Sequence, residues 1–224
     1  MHALISYDDT DNDQNALALG RVLAGAGAEL TLAYVRHTTM AEPTRERLEG
    51  HEAEALLERG ARWLDDLDVA RRVVIDASTG EGLRRLAGTE EADLVVFGSD
   101  YRTAAGHVNL GSSASRLLDS GATALAVAPA AYRARRDHTI RTIGVLPCGD
   151  PAALETAENL AGRLHADIAG ATRDVDLLIV GSRSQAAEGR VMVSSYALAE
   201  IENAVAPVIV LARATPLRFE YSLA

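Results

Sequence analysis

The chain has 224 residues, 48% of them apolar and 24% charged, the balance of a folded globular protein and not of a disordered or fibrous one. That length suits one or two domains with a buried core. A net charge of −10 makes a nucleic-acid backbone a poor partner, no run approaches the roughly 18 apolar residues of a membrane helix, and the single cysteine, Cys148, excludes an internal disulfide.

Residues 2–7 form a short, mostly apolar run stopped by Asp8, Asp9, Thr10, Asp11, Asn12 and Asp13, a cluster of turn and cap formers. It reads as a buried strand followed by a helix start. Over 16–26 the apolar positions Ala16, Leu19, Val22, Leu23 and Ala26 recur at three and four, the period of one helical face, which Gly25 and Gly27 close. A strand over 29–35 follows, then a polar connection and a long amphipathic helix over 43–67 carrying Ala55, Leu56, Trp63 and Leu64. The remaining elements of this half are a strand at 72–75, a helix at 80–88, a strand at 93–98, a loop, a helix near 111–118 and a strand at 123–128. Five strands with helices between them predict an α/β fold, an open parallel sheet covered on both faces.

Arg133, Ala134, Arg135, Arg136 and Asp137 form a charged run that reads as a linker. Beyond it the pattern restarts in shortened form: a strand at 143–146, a helix at 151–164, a strand within 176–182 that mirrors 93–99, a helix near 195–204 and a strand at 207–211. This predicts an internal duplication, with a first domain at 1–132, a shortened, degenerate second domain at 138–213 that has lost its middle strands and helices, and a tail over 214–224 with no assigned role. A copy of that size is marginal alone and is expected to pack on the first.

Ligands of open α/β sheets sit at the carboxyl ends of the strands. The most informative such segment follows the fourth strand: Gly98, Ser99, Asp100, Tyr101, Arg102, on to Gly111, Ser112 and Ser113 at a helix start, where free amides and hydroxyls can converge on phosphate oxygens. All 22 basic residues are arginine, so lysine-based nucleophiles, bases and phosphate loops are excluded together. The histidines, at 2, 37, 51, 107, 138 and 165, show no metal-ligand spacing, and no serine sits in a nucleophile-elbow sequence. Neither a metal site nor a dedicated enzyme is expected. Nothing resembles a signal peptide, so the expected location is cytoplasmic.

In these residues the chain resembles the universal stress protein family. Its nucleotide-binding members carry a glycine, two residues, a glycine, nine residues, then glycine with serine or threonine; here the positions hold Gly98, Tyr101, Gly111 and Ser112. Asp8 ending the first strand, Val35 ending the second, and the blocks 92–99 and 126–129 match as well. The resemblance implies a tandem of two universal-stress-protein-like sheets, paired through their last strands as an internal pseudo-dimer, with a homodimer open. It also implies ATP, with magnesium, as cofactor, any hydrolysis being slow and incidental, and a role regulating a protein partner in stress response. Asp8 would contact adenine or ribose and Val35 would frame the adenine through its backbone. Gly98, Ser99, Tyr101, Arg102, Gly111, Ser112 and Ser113 would surround ribose and phosphates. Tyr101, replacing a glycine, leaves a second reading open: a member without nucleotide that acts as an interaction or scaffold module, or binds another small ligand in the same cleft. Helix capping remains an alternative role for Asp8, Ser112 and Ser113.

Overall fold

The computed structural model describes residues 1–37, 43–65 and 67–220. Most of the expected polar connection, at 38–42, and the end of the tail, at 221–224, lie outside the described residues. The first half comprises β1 (His2–Ser6), α1 (Asp13–Gly25), β2 (Glu29–Arg36), α2 (Pro43–Trp63), β3 (Val69–Ile75), α3 (Thr79–Thr89), β4 (Leu94–Gly98), α4 (Gly111–Ser120) and β5 (Ala124–Ala128). The second comprises β6 (Thr142–Leu146), α5 (Ala152–Leu164), β7 (Asp167–Ala169), β8 (Leu177–Val180), α6 (Ser195–Glu202) and β9 (Val208–Val210).

These strands make one sheet in the order β3-β2-β1-β4-β5-β9-β8-β6-β7. Neighbours are parallel except β5 and β9, which run antiparallel with Leu125 opposite Val210 and Val127 opposite Val208. The order β7-β6-β8-β9 repeats β2-β1-β4-β5, and the seam joins the last strand of each half. The two half-sheets, paired through their last strands as expected, make one continuous sheet, and one expectation changes: a middle strand of the second half is present as β7. His165, at a left-handed φ of 55°, ends α5 two residues before it, and three residues are too few to show alternation.

Successive strand residues point to opposite faces and feed two cores. Ile5, Val96, Ile179 and Ile209 pack with Leu19 of α1, Leu57 of α2 and Leu160 of α5. Leu4, Val95, Val127 and Val208 pack with Leu83 of α3, Leu117 of α4 and Ile201 of α6. Trp63, expected on the buried face of α2, is exposed instead, with the Arg21 guanidinium 5.8 Å from its ring centroid.

The charged run after β5 is pinned in place. Tyr132 is buried in a 3-10 turn, the Arg133 N–H donates to Asn15 Oδ1 (3.0 Å), and the Arg133 guanidinium reaches Asp11 Oδ1 at 3.1 Å. The tail also has a role that its sequence does not suggest. Ala214 N donates to Asp150 Oδ2 (3.0 Å), Leu217 N to Thr156 Oγ1 (2.9 Å) and Phe219 N to Asn159 Oδ1 (2.7 Å), while Arg163 Nε donates to Phe219 O (2.8 Å). Leu217 and Phe219 enter the first core, on the face that Leu57 of α2 and Leu64 just after it cover in the first half. Among the described residues the second half has no such helix, and this strap covers α5 in its place.

Candidate functional site

β1 lies at the point where successive crossovers turn to opposite sides, with β2 on one flank and β4 on the other. It ends at Ser6, in register with Ala33, and Tyr7 N then donates to Ala33 O (3.0 Å). β2 runs on through Tyr34, Val35 and Arg36, so on that side its backbone continues past the end of β1. A cavity of about 220 Å³ opens there, lined by Ser6, Tyr7, Asp8, Tyr34, Val35, His37 and Thr79. Asp8 and Val35, expected as site residues from separate strands, thus share one cleft. His37 and Thr79 were not among the expected site residues; His37 Nε2 is 3.1 Å from Thr79 Oγ1. Their signal was position alone, since each closely follows a strand end. A second cavity, about 530 Å³, shares the walls Tyr34 and His37 and extends toward Glu49 and Arg59 of α2.

The loop bearing Asp8 is tightly held. Asp13 Oδ2 accepts from Asp8 N (2.9 Å), Thr10 N (3.1 Å) and Thr10 Oγ1 (2.8 Å). Asp8 therefore does not cap α1; the first residue of α1 holds Asp8 through its main chain. Burial, then the Asp8 carboxyl beside it, pushes the Asp13 carboxyl up to about 8. Next to this pair, Tyr7 OH donates to Asp9 Oδ1 (2.7 Å) and Arg59 Nε to Asp9 Oδ2 (2.7 Å), tying the loop to α2. Burial, followed by the Asp9 hydrogen bond, raises the Tyr7 phenol, and that same hydrogen bond, followed by Arg59, lowers Asp9.

The loop between β4 and α4 revises several expectations. At Gly98 a Cβ would stand 2.0 Å from Asn12 O, so glycine is required for the β1–α1 loop to cross β4. Ser99 is buried, its hydroxyl donating to Ala128 O (2.8 Å) and accepting from Asn109 N (3.1 Å); it braces the loop and is not open to a ligand. Tyr101 has ordinary negative φ and is 70% exposed, with the Arg102 guanidinium 5.0 Å from its ring centroid; neither lines the cleft. Positive φ falls instead at Gly106 (84°) and Gly111 (61°). The Gly111 N–H donates to Asn109 Oδ1 (3.0 Å), and Asp100 Oδ2 stands 3.6 Å from where a Gly111 Cβ would be. Ser112 and Ser113 continue the first turn of α4. Ser113 O lies 3.0 Å from the Cβ position of Gly80, and Arg116 donates to Ser78 Oγ (2.8 Å). The start of α4 is thus set against the start of α3, one residue from Thr79 in the cleft wall.

The sequence profile of the universal stress protein family matches residues 1–129. The chain belongs to the universal stress protein family. Among solved structures it is similar to a universal stress protein from Archaeoglobus fulgidus DSM 4304, at 15% identity and a TM-score of 0.70, over 95% of this chain and 98% of that one. A functionally unknown protein from Pseudomonas aeruginosa PAO1 aligns at 12% identity and a TM-score of 0.64, over 95% and 92%. The likeness is one of fold, and it spans both halves. No curated protein matches the chain.

The second half of this universal stress protein keeps the braces of the family loop and changes its chemistry. Ser182 repeats Ser99, donating to Leu211 O (2.8 Å) and accepting from Met192 N (3.0 Å). Gly181 repeats Gly98, its Cβ position 2.4 Å from Pro147 O. Val145 pairs with Ile179 as Ile5 pairs with Val96, so counting along the chain puts Cys148 in the place of Asp8. Burial pushes the Cys148 thiol up, the opposite of an activated thiolate. Ser194 caps α6, accepting from Ala197 N (3.0 Å) where the first half has Gly111. The two loops also reach across the seam reciprocally: Val108 N donates to Ala204 O (3.2 Å) and Val191 N to Gly121 O (3.1 Å).

Proposed function

We propose that this universal stress protein binds an adenine nucleotide in the cleft of its first half and that occupancy regulates a protein partner in the cytoplasm. The observation that carries the reading is the meeting of Asp8 and Val35 on one cavity at the switch point of the sheet. The Val35 backbone, running past the end of β1, offers a hydrogen-bonding edge to a planar base, and the Asp8 carboxylate accepts from ribose hydroxyls. His37 and Thr79 add polar groups to the same wall. Phosphates carried from such a base toward Gly111, Ser112 and Ser113 would meet a helix N-terminus, the ordinary setting for ATP with magnesium. The reading assigns no catalytic residue, and hydrolysis is incidental to it.

The test is thermal unfolding with and without adenosine, AMP and magnesium-ATP, repeated on Asp8→Ala. A ligand at about 100 times its Kd adds roughly 2.7 kcal/mol, a shift of several degrees for a chain of this size. A shift that Asp8→Ala abolishes supports the reading; no shift with any of the three overturns it. The exposed Tyr101 ring outside the cleft favours the second reading, an interaction module without nucleotide, and saturable adenine binding would remove that one.

A further inference from the structure

We infer that the first-half cleft selects adenine ligands of low phosphate charge, a nucleoside ahead of a triphosphate; this rests on the adenine reading above. The reason is what stands at the start of α4. The Asp100 carboxylate lies beside Gly111, its Oδ1 accepting from Arg102 N (3.0 Å) and its Oδ2 3.6 Å from the Gly111 Cβ position. The Gly111 N–H, a first donor for an incoming phosphate, is already held by Asn109 Oδ1. An acid therefore sits where the helix would otherwise favour an anion.

Asp8 adds a carboxylate on the adjoining loop, beside an Asp13 carboxyl that burial keeps protonated at neutral pH. Of the nearby cations, Arg59 is paired with Asp9, while Arg102 lies over the Tyr101 ring and Arg116 donates to Ser78 Oγ, contacts that leave their charge in place. A ribose can donate its hydroxyls to the Asp8 carboxylate, whereas the triphosphate group brings only acceptors and several negative charges. Like charges a few ångströms apart at a partly screened surface cost enough to separate the two ligands by about tenfold.

Calorimetric titration of the full chain with adenosine, AMP and ATP, with and without magnesium, tests this on wild type and on Asp100→Asn, which keeps an oxygen for the Arg102 N–H. Adenosine should bind about tenfold or more tighter than ATP. Asp100→Asn should close most of that gap while leaving adenosine unchanged. A salt series on wild type needs no variant: screening should strengthen ATP binding and leave adenosine flat. ATP as tight as adenosine, a gap that survives Asp100→Asn, or ATP binding that weakens with salt overturns the inference while the adenine site stands. Silence with all three ligands overturns the adenine reading itself, and the inference with it.

Discussion

Phe219→Ala probes the strap that covers α5. The Phe219 ring is 1% exposed, and truncating a fully buried phenylalanine costs about 3–5 kcal/mol, the lost transfer energy plus the cavity left behind. The substitution isolates the ring, because the bonds from Phe219 N to Asn159 and from Arg163 to Phe219 O use main-chain atoms that alanine keeps. For a chain of this length each kcal/mol moves the midpoint by about 2–4 °C, so the expected fall is roughly 6–20 °C. Urea unfolding gives the free energy, and native-state hydrogen exchange locates it. If the strap replaces a missing helix, amides of α5 should lose protection while those of α1, covered by α2, keep theirs. A loss under about 1 kcal/mol, or equal loss of protection in both helices, would refute the reasoning.

Gly98→Ala should cost about 1–3 kcal/mol by urea denaturation, since its Cβ meets the Asn12 backbone at 2.0 Å, whereas Gly106→Ala, in open space at positive φ, should cost about 1 kcal/mol; equal losses would count against the crossing argument. Tyr132→Phe should leave stability unchanged or raise it by up to about 1 kcal/mol, because the phenol oxygen is buried without a hydrogen-bond partner, and a lowered midpoint would show one. Asp13, at about 8 in the fold against an ordinary value near 4, binds its proton more tightly folded than unfolded. Its contribution is complete below about pH 4 and is lost as pH rises through about 8. Asp13→Asn should therefore flatten the decline of urea midpoints over that range, and an unaltered slope would overturn the assignment.

The elements with long apolar periods were legible from sequence, including α1, β4 and the repeat of β4 in β8, because buried strands and helix faces write their burial into residue type. β7 and the strap were not. Three residues carry no period, and Leu217 and Phe219 flank Arg218 and are held by their own main-chain N–H bonds to side chains of α5, which no residue pattern announces. At the site, Asp8 and Val35 were legible because each ends a strand. Ser99 was found at the right place with the wrong role, and the steric need for Gly98 was not legible, since sequence shows a glycine's freedom but not which backbone needs it. Asp100 lay inside the recognised loop, yet only the fold brings its carboxylate to Gly111.

The seam between β5 and β9 makes this molecule the equivalent of a heterodimer written on one strand of peptide. Pairing within a chain does not dissociate on dilution, because each half holds the other at a fixed effective concentration. It also frees the halves from copying each other. In a two-fold pair of identical subunits every substitution lands twice, so opposite charges can never occupy equivalent places. Here Asp100 N donates to Asn109 O in one loop and Arg183 N to Met192 O in the other, the same turn carrying an acid on one side and a base on the other. Equivalent positions of the two halves thereby carry opposite charges, which a pair of identical subunits cannot do.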